Sequence, residues 1–210
     1  MNTEDAFDWS IYSTDQQAHL RAALQLAQAC QYEAPHTHQV LRLALRLFDD
    51  LRGLHGLENE GRFWLEMAAL LHDIGWVEGR KGHHKAALQI ILKTPLLLLD
   101  PRERLLIGSI ARYHRKALPN LRHAHYAALS KADRRSVRRL AALLRVADGL
   151  DVSHQSRVAD LHASYDGKSV YLTYTGPTPA PEEERAASQK GDLLKKVYKR
   201  RLVLQYQPAF

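Results

Sequence analysis

The chain has 210 residues, 45% of them hydrophobic, enough to bury one ordinary core with at most a small appendage. A single cysteine, Cys30, excludes an intramolecular disulfide framework, and no stretch reads as a signal peptide or membrane span, so a cytoplasmic location without membrane contact is expected. Thirty Lys and Arg against 23 Asp and Glu give +7 at pH 7, which suits a phosphate-bearing small molecule or polyphosphate, while the lack of zinc-finger, RNA-binding-sheet or aromatic-basic patterns argues against nucleic acid.

Over residues 15–31, Leu20, Ala23, Leu24, Ala27 and Cys30 recur at spacings of three and four, which predicts an amphipathic helix capped by Thr14 or Asp15. Pro35 opens the next helix. There Val40, Leu43, Leu47 and Leu51 form an apolar stripe, and His36, four residues before Val40, points inward with it. A helix over about 60–74 should bury Met67, Leu70 and Leu71, place His72 and Asp73 in its last turn and use Gly75 as its C-cap. Further helical patterns cover about 83–93, 101–117 and 131–150, the second opened by Asp100 and Pro101. Beyond Asp151 the period changes to two around Asp166 and Gly167, a β-hairpin signature, and RLVLQYQ reads as a third strand. Between them the stretch 182–200 reads as a helix with acids early and bases late. The expected fold class is mainly α, a helical bundle over 1–151 carrying a small C-terminal α+β appendage over 152–210.

Chemistry concentrates in histidine and aspartate. His72 and Asp73 are adjacent donors at a helix end, His36 points inward from an earlier helix, and Asp148 stands near the end of a later one. Ligands from several helices can converge in a bundle interior, and a carboxylate buried there with neither cation nor hydrogen-bond partner is costly. The competing reading is a pair of hydrogen-bonded core histidines with Asp148 capping a turn. Imidazole and carboxylate without thiolate disfavour a structural zinc cage and suit one or two Mn²⁺, Mg²⁺, Fe²⁺, Co²⁺ or Ni²⁺ ions. Arg112, Arg115 and Lys116 flank His114, and Arg145 precedes Asp148 by three residues, so these four are candidates to hold phosphate oxygens. The basic runs 134–139 and 195–201 read instead as solvated faces. Asp151, three residues after Asp148, could orient a ligand or cap the helix exit.

The set His36, His72-Asp73 and Asp148 resembles the HD superfamily of metal-dependent phosphohydrolases. HTHQVLRLALRLFDDL, LLHDIGW, HHKAALQIIL, ARYHRKALP and LAALLRVADGLDVSHQSRV together resemble, in order, the C-terminal HD region of the Ppx/GppA (exopolyphosphatase / guanosine pentaphosphatase) family, over about residues 15–206. The resemblance implies an HD-type helical bundle and a phosphohydrolase acting on a nucleotide or polyphosphate-like phosphoester or phosphoanhydride by metal-activated water. It also implies further metal ligands at His84, for which adjacent His83 is an alternative, and at His114, giving two cations bridged by Asp73. His72 and Asp73 then carry the catalysis. The glycine-rich phosphate loops of that family's actin-like ATPase module are not expected here. An alternative is therefore a non-catalytic polyphosphate- or nucleotide-binding accessory module.

Overall fold

The computed structural model describes residues 9–208. Among them, helix α1 (Thr14–Ala29) leads into α2 (Ala34–Asp50), the short α3 (Arg52–His55) and α4 (Asn59–Leu71). A 3₁₀ turn (Ile74–Glu78) then precedes α5 (His83–Lys93), α6 (Pro101–Arg112), the short α7 (Ala124–Ala127) and α8 (Lys131–Gly149). The chain closes with strands β1 (Asp160–Tyr165) and β2 (Ser169–Gly176), helices α9 (Pro181–Lys190) and α10 (Asp192–Tyr198), and β3 (Arg201–Pro208). The fold is mainly helical with a small α+β tail, as the periodicity predicts. No helix among the described residues is long and apolar enough to cross a membrane.

Helices α2, α4, α6 and α8 pack on one another. Their stripes, Val40, Leu43 and Leu47 from α2, Met67, Leu70 and Leu71 from α4, and Leu140, Leu143 and Leu144 from α8, are fully removed from solvent. At about 25 cal/mol per Å², burial of each such side chain stabilises the fold by roughly 1.5–3 kcal/mol.

Helix ends depart from the sequence reading for one recurring reason: side chains compete for terminal backbone groups. Helix α1 is capped by Ser13, not Thr14 or Asp15, because Ser13 and Gln16 form a reciprocal capping box that satisfies two backbone N–H groups. Asp100 caps α6 as expected, accepting from the Glu103 amide at 2.9 Å. The helix read over 101–117 stops at Arg112, and that read over 60–74 stops at Leu71. Gly75 is not a C-cap but lies within the 3₁₀ turn, where its missing side chain admits the first turn of α5. The stretch 182–200 forms two helices, parted at Gly191.

In the tail, β1 runs antiparallel to β2 with Leu161 opposite Tyr174 and Ala163 opposite Leu172. Strand β3 pairs with β2 in parallel, Leu172 opposite Leu204, so a crossover is required, and α9 with α10 supplies it. Long-range hydrogen bonds join this tail to α2: Gln39 Nε2 and Arg42 both donate to the Val158 carbonyl, at 2.6 and 3.1 Å, Arg46 Nε donates to that of Leu161 at 2.9 Å, and the Ala163 amide to the Asp50 carboxylate at 2.7 Å.

His55, 1% exposed at the end of α3, tests the core's response to acid. Its Nδ1 accepts from the Leu57 amide at 3.0 Å, so Nε2 carries the proton it donates to the Phe48 carbonyl at 2.7 Å. Burial therefore holds its pKa below the ordinary value. Below about pH 6.5 the unfolded chain takes a proton that the folded one refuses, so this contribution is full at neutral pH and is lost as pH falls. Urea titrations at pH 7 and pH 5 should show a smaller loss in His55→Gln than in the wild type.

Candidate metal centre

Asp73 sits where α4 gives way to the 3₁₀ turn, and four imidazoles face it. His36 and His72 present Nε2 at 3.8 and 3.6 Å from Asp73 Oδ2, while His83 and His114 present theirs at 3.1 and 3.4 Å from Oδ1. Two three-residue sets with the spacing of metal ligands result, His36 with His72 and Asp73, and Asp73 with His83 and His114. These buried groups could hold metal ions, and Asp73 belongs to both. Asp148, in the last turn of α8, brings Oδ1 to 3.7 Å from His36 Nε2.

All four rings are held in one tautomer. Nδ1 of His72, His83 and His114 each meets the carbonyl three residues earlier, of Ala69, Arg80 and Ala111, at 2.7, 3.0 and 2.7 Å. A carbonyl can only accept, so each Nδ1 carries the proton and each neutral ring turns a bare Nε2 lone pair inward. His36 does the same through the Asp151 carboxylate, Nδ1 to Oδ2 at 2.8 Å. The consequence is a cluster of acceptors facing acceptors. Nε2 of His83 and His114 lie 3.4 Å apart, and His36 Nε2, His72 Nε2 and Asp73 Oδ1 are buried without a hydrogen-bond partner. Buried groups so left cost on the order of 1–3 kcal/mol each, and a divalent cation would satisfy them together.

Burial opposes charge on His36, but its hydrogen bond to Asp151 and the charges of Asp148 and Asp73 outweigh it and raise its pKa, so a metal ion competes there with a proton. Burial alone would push the Asp73 carboxyl up, but His72, His83 and His114, in the form that carries a second ring proton toward it, outweigh burial and hold it well below the usual carboxylate range, and a cation at the same place would act in the same direction. Burial likewise opposes ionisation of Asp148, which the Lys190 ammonium and the neighbouring imidazoles bring down to about 2. His114, fully enclosed, is kept neutral by burial, with its pKa lowered to about 3. Both carboxylates are thus charged and His114 is an available donor at neutral pH.

The cluster opens into a cleft of about 520 Å³ bordered by Trp76, Arg80, Arg115, Lys116, His154 and Lys190. Arg115 reaches His83 Nε2 at 3.3 Å. Of the expected phosphate contacts, Arg115 and Lys116 stand on this wall and two do not. Arg145 spends its guanidinium on Asp192 at 2.9 Å and on the Tyr113 carbonyl at 3.1 Å. Arg112 is buried over the Tyr113 ring, 5.7 Å from its centroid. His83, not His84, faces Asp73. His84 is buried beside Arg112 instead, and burial with that charge lowers its pKa to about 4.

Two participants are absent from the sequence reading. His154, held at φ +57°, stacks on His36 with centroids 3.8 Å apart, and the Lys190 ammonium bonds to Asp148 Oδ2. His154 falls within the stretch LAALLRVADGLDVSHQSRV, which assigns it no role, and Lys190 lies in no motif that points to the site. Asp151, by contrast, matches the orienting role considered for it: fully buried, it receives His36 Nδ1–H on one oxygen and the Ser156 amide on the other at 2.7 Å. Asp151→Ala should weaken divalent metal binding by about 10–100-fold, the range for partners that orient a ligand imidazole. Calorimetric titration checks this, and unchanged affinity would make Asp151 a loop anchor only.

Comparison with curated proteins returns no match. Comparison with protein families matches residues 19–177 to the family described as Ppx/GppA phosphatase, domain III. The match runs from α1 through the β1–β2 hairpin, well over half of the chain, and contains every imidazole and carboxylate of the cluster. The chain belongs to the Ppx/GppA phosphatase domain III family.

Proposed function

We propose that this chain is a metal-dependent phosphohydrolase acting on a phosphoester or phosphoanhydride of a nucleotide or a polyphosphate-like molecule. The observation that carries the reading is the sharing of Asp73 between two sets of anchored imidazoles, with His36 Nε2, His72 Nε2 and Asp73 Oδ1 buried without a hydrogen-bond partner. His36, His72 and Asp73, with Asp148 beside them, would hold one divalent ion, and Asp73, His83 and His114 a second. Mn²⁺, Fe²⁺, Mg²⁺, Co²⁺ and Ni²⁺ suit such nitrogen and oxygen donors. Bound there, such ions act as Lewis acids toward phosphoryl oxygen and make water nucleophilic near neutral pH.

The chain's own groups supply the rest. Asp73 fixes the spacing of the two sets and carries negative charge between them. Arg115 and Lys116 on the cleft wall would hold phosphate oxygens, the first by a planar fork and the second as a point charge. A cleft of about 520 Å³ is the size that encloses a small molecule or a short phosphate chain.

A second reading, an accessory module that binds phosphate-bearing ligands without turnover, is favoured by one contact: Lys190 already neutralises Asp148. One experiment separates the two. Metal content is measured, then phosphate release from inorganic polyphosphate, guanosine tetra- and pentaphosphate, nucleoside monophosphates and cyclic dinucleotides, with and without added Mn²⁺. Metal-dependent release that disappears in His72→Ala supports the hydrolase. Metal binding without release from any substrate supports the accessory module, and release that survives His72→Ala would place the chemistry elsewhere.

A further inference from the structure

Lys190 is the last residue of α9, beyond the residues that match the family. Its ammonium bonds to Asp148 Oδ2, and its side chain, 23% exposed, lies on the cleft wall with Arg115 and Lys116. Three carboxylates, Asp73, Asp148 and Asp151, crowd the cluster, and among the described residues no other Lys or Arg pairs with any of them.

The backbone beneath Lys190 is fixed. Helices α8 and α9 touch so closely that a Cβ on Gly149 would stand 2.6 Å from Ala187 Cα, one helical turn before Lys190. Two residues beyond, Asp192 is paired with Arg145 at 2.9 Å. Only the lysine side chain is therefore free to rearrange, and its flexible four-carbon stem can place the ammonium on Asp148 or out in the cleft.

We propose that Lys190 is a phosphate-binding residue of this site, held on Asp148 in the metal-free protein and released to the cleft when a divalent ion takes its place. This rests on the metal reading above. A divalent ion supplies the positive charge that Lys190 lends to Asp148, and repels the ammonium at a few ångströms. The displaced ammonium then lies beside Arg115 and Lys116, where a phosphoryl oxyanion would enter. Metal loading and phosphate affinity are coupled through one side chain contributed by the tail.

The test is calorimetric titration of the full chain, metal-free, with Mn²⁺, followed by titration of the Mn²⁺-loaded protein with inorganic phosphate. Lys190→Ala and Lys190→Gln should bind Mn²⁺ about tenfold more tightly, because the competing ammonium is gone. Both should then bind phosphate about tenfold or more weakly, the effect of one lost charge-assisted hydrogen bond. Lys190→Arg should keep phosphate affinity within a few-fold of the wild type. Circular dichroism identifies which variants retain the fold, and Gln keeps most of the stem should Ala not. Mn²⁺ affinity that is unchanged or weaker in the neutral variants, or phosphate affinity that does not fall, overturns the role of Lys190 while leaving the metal centre standing. Failure of the wild type to take up Mn²⁺ overturns both.

Discussion

Asp73→Ala should leave the protein folded and without bound divalent metal. The two carboxylate oxygens serve different partners, Oδ2 toward His36 and His72 and Oδ1 toward His83 and His114, so one substitution takes a ligand from both sets. The set of His83 and His114 is then reduced to two imidazoles, and that of His36 and His72 keeps only Asp148, itself paired with Lys190, as a carboxylate. The expected loss in affinity exceeds the roughly 10–100-fold seen when only an orienting partner is removed, and phosphate release should fall with it. The fold should survive because Asp73 makes no bond to the apolar core and His72 still caps α4 through the Ala69 carbonyl. Elemental analysis with circular dichroism decides the matter. Equal metal content in a folded variant would defeat the assignment of Asp73.

How far the sequence could be read depended on the range of the interaction involved. Helix faces were legible because apolar spacing is a local signal: His36 shares a stripe with Val40 and Leu43, and the structure buries all three. The helix at 83–93 has the predicted bounds. Helix ends were less so, because His72 and His114 look like residues of a last turn, whereas each lies just past its helix with Nδ1 on a carbonyl three residues back. That same bond aims Nε2 at Asp73, so the misread boundary and the site have one cause.

His83 and His84 could not be told apart by spacing. Adjacent residues at a helix start diverge by about 100°, and what selects His83 is the carbonyl of Arg80 in the preceding loop. Arg145 stood near Asp148 in sequence, yet its partner is Asp192, 47 residues onward. Lys190 reaches Asp148 across 42 residues from a helix whose composition resembles any solvated surface. Charge near a motif is visible in a sequence, but which partner neutralises it is a property of packing.

Gly75→Ala should combine the largest loss of stability with a selective injury to the site. A Cβ at this position would stand 2.0 Å from the His83 carbonyl oxygen and 2.6 Å from the Ala87 amide nitrogen, both backbone atoms that no rotamer change can remove. Overpacking of this kind costs about 1–3 kcal/mol and occasionally more, and two backbone clashes place this case near the top, at about 3 kcal/mol. For a chain of this size that corresponds to a fall in melting temperature of roughly 6–12 °C. The strain is relieved by moving the first turn of α5 outward, and His83 is the residue it carries. Its 3.1 Å approach to Asp73 Oδ1 is lost, while His36 and His72, on α2 and at the end of α4, stay in place. Under the proposed two-ion reading, metal content should therefore fall at the set containing His83 and persist at the other. Thermal denaturation and elemental analysis on the same preparation read both effects. A wild-type melting temperature would show that α5 yields without strain, and full metal content despite a lowered one would remove His83 from the ligand set.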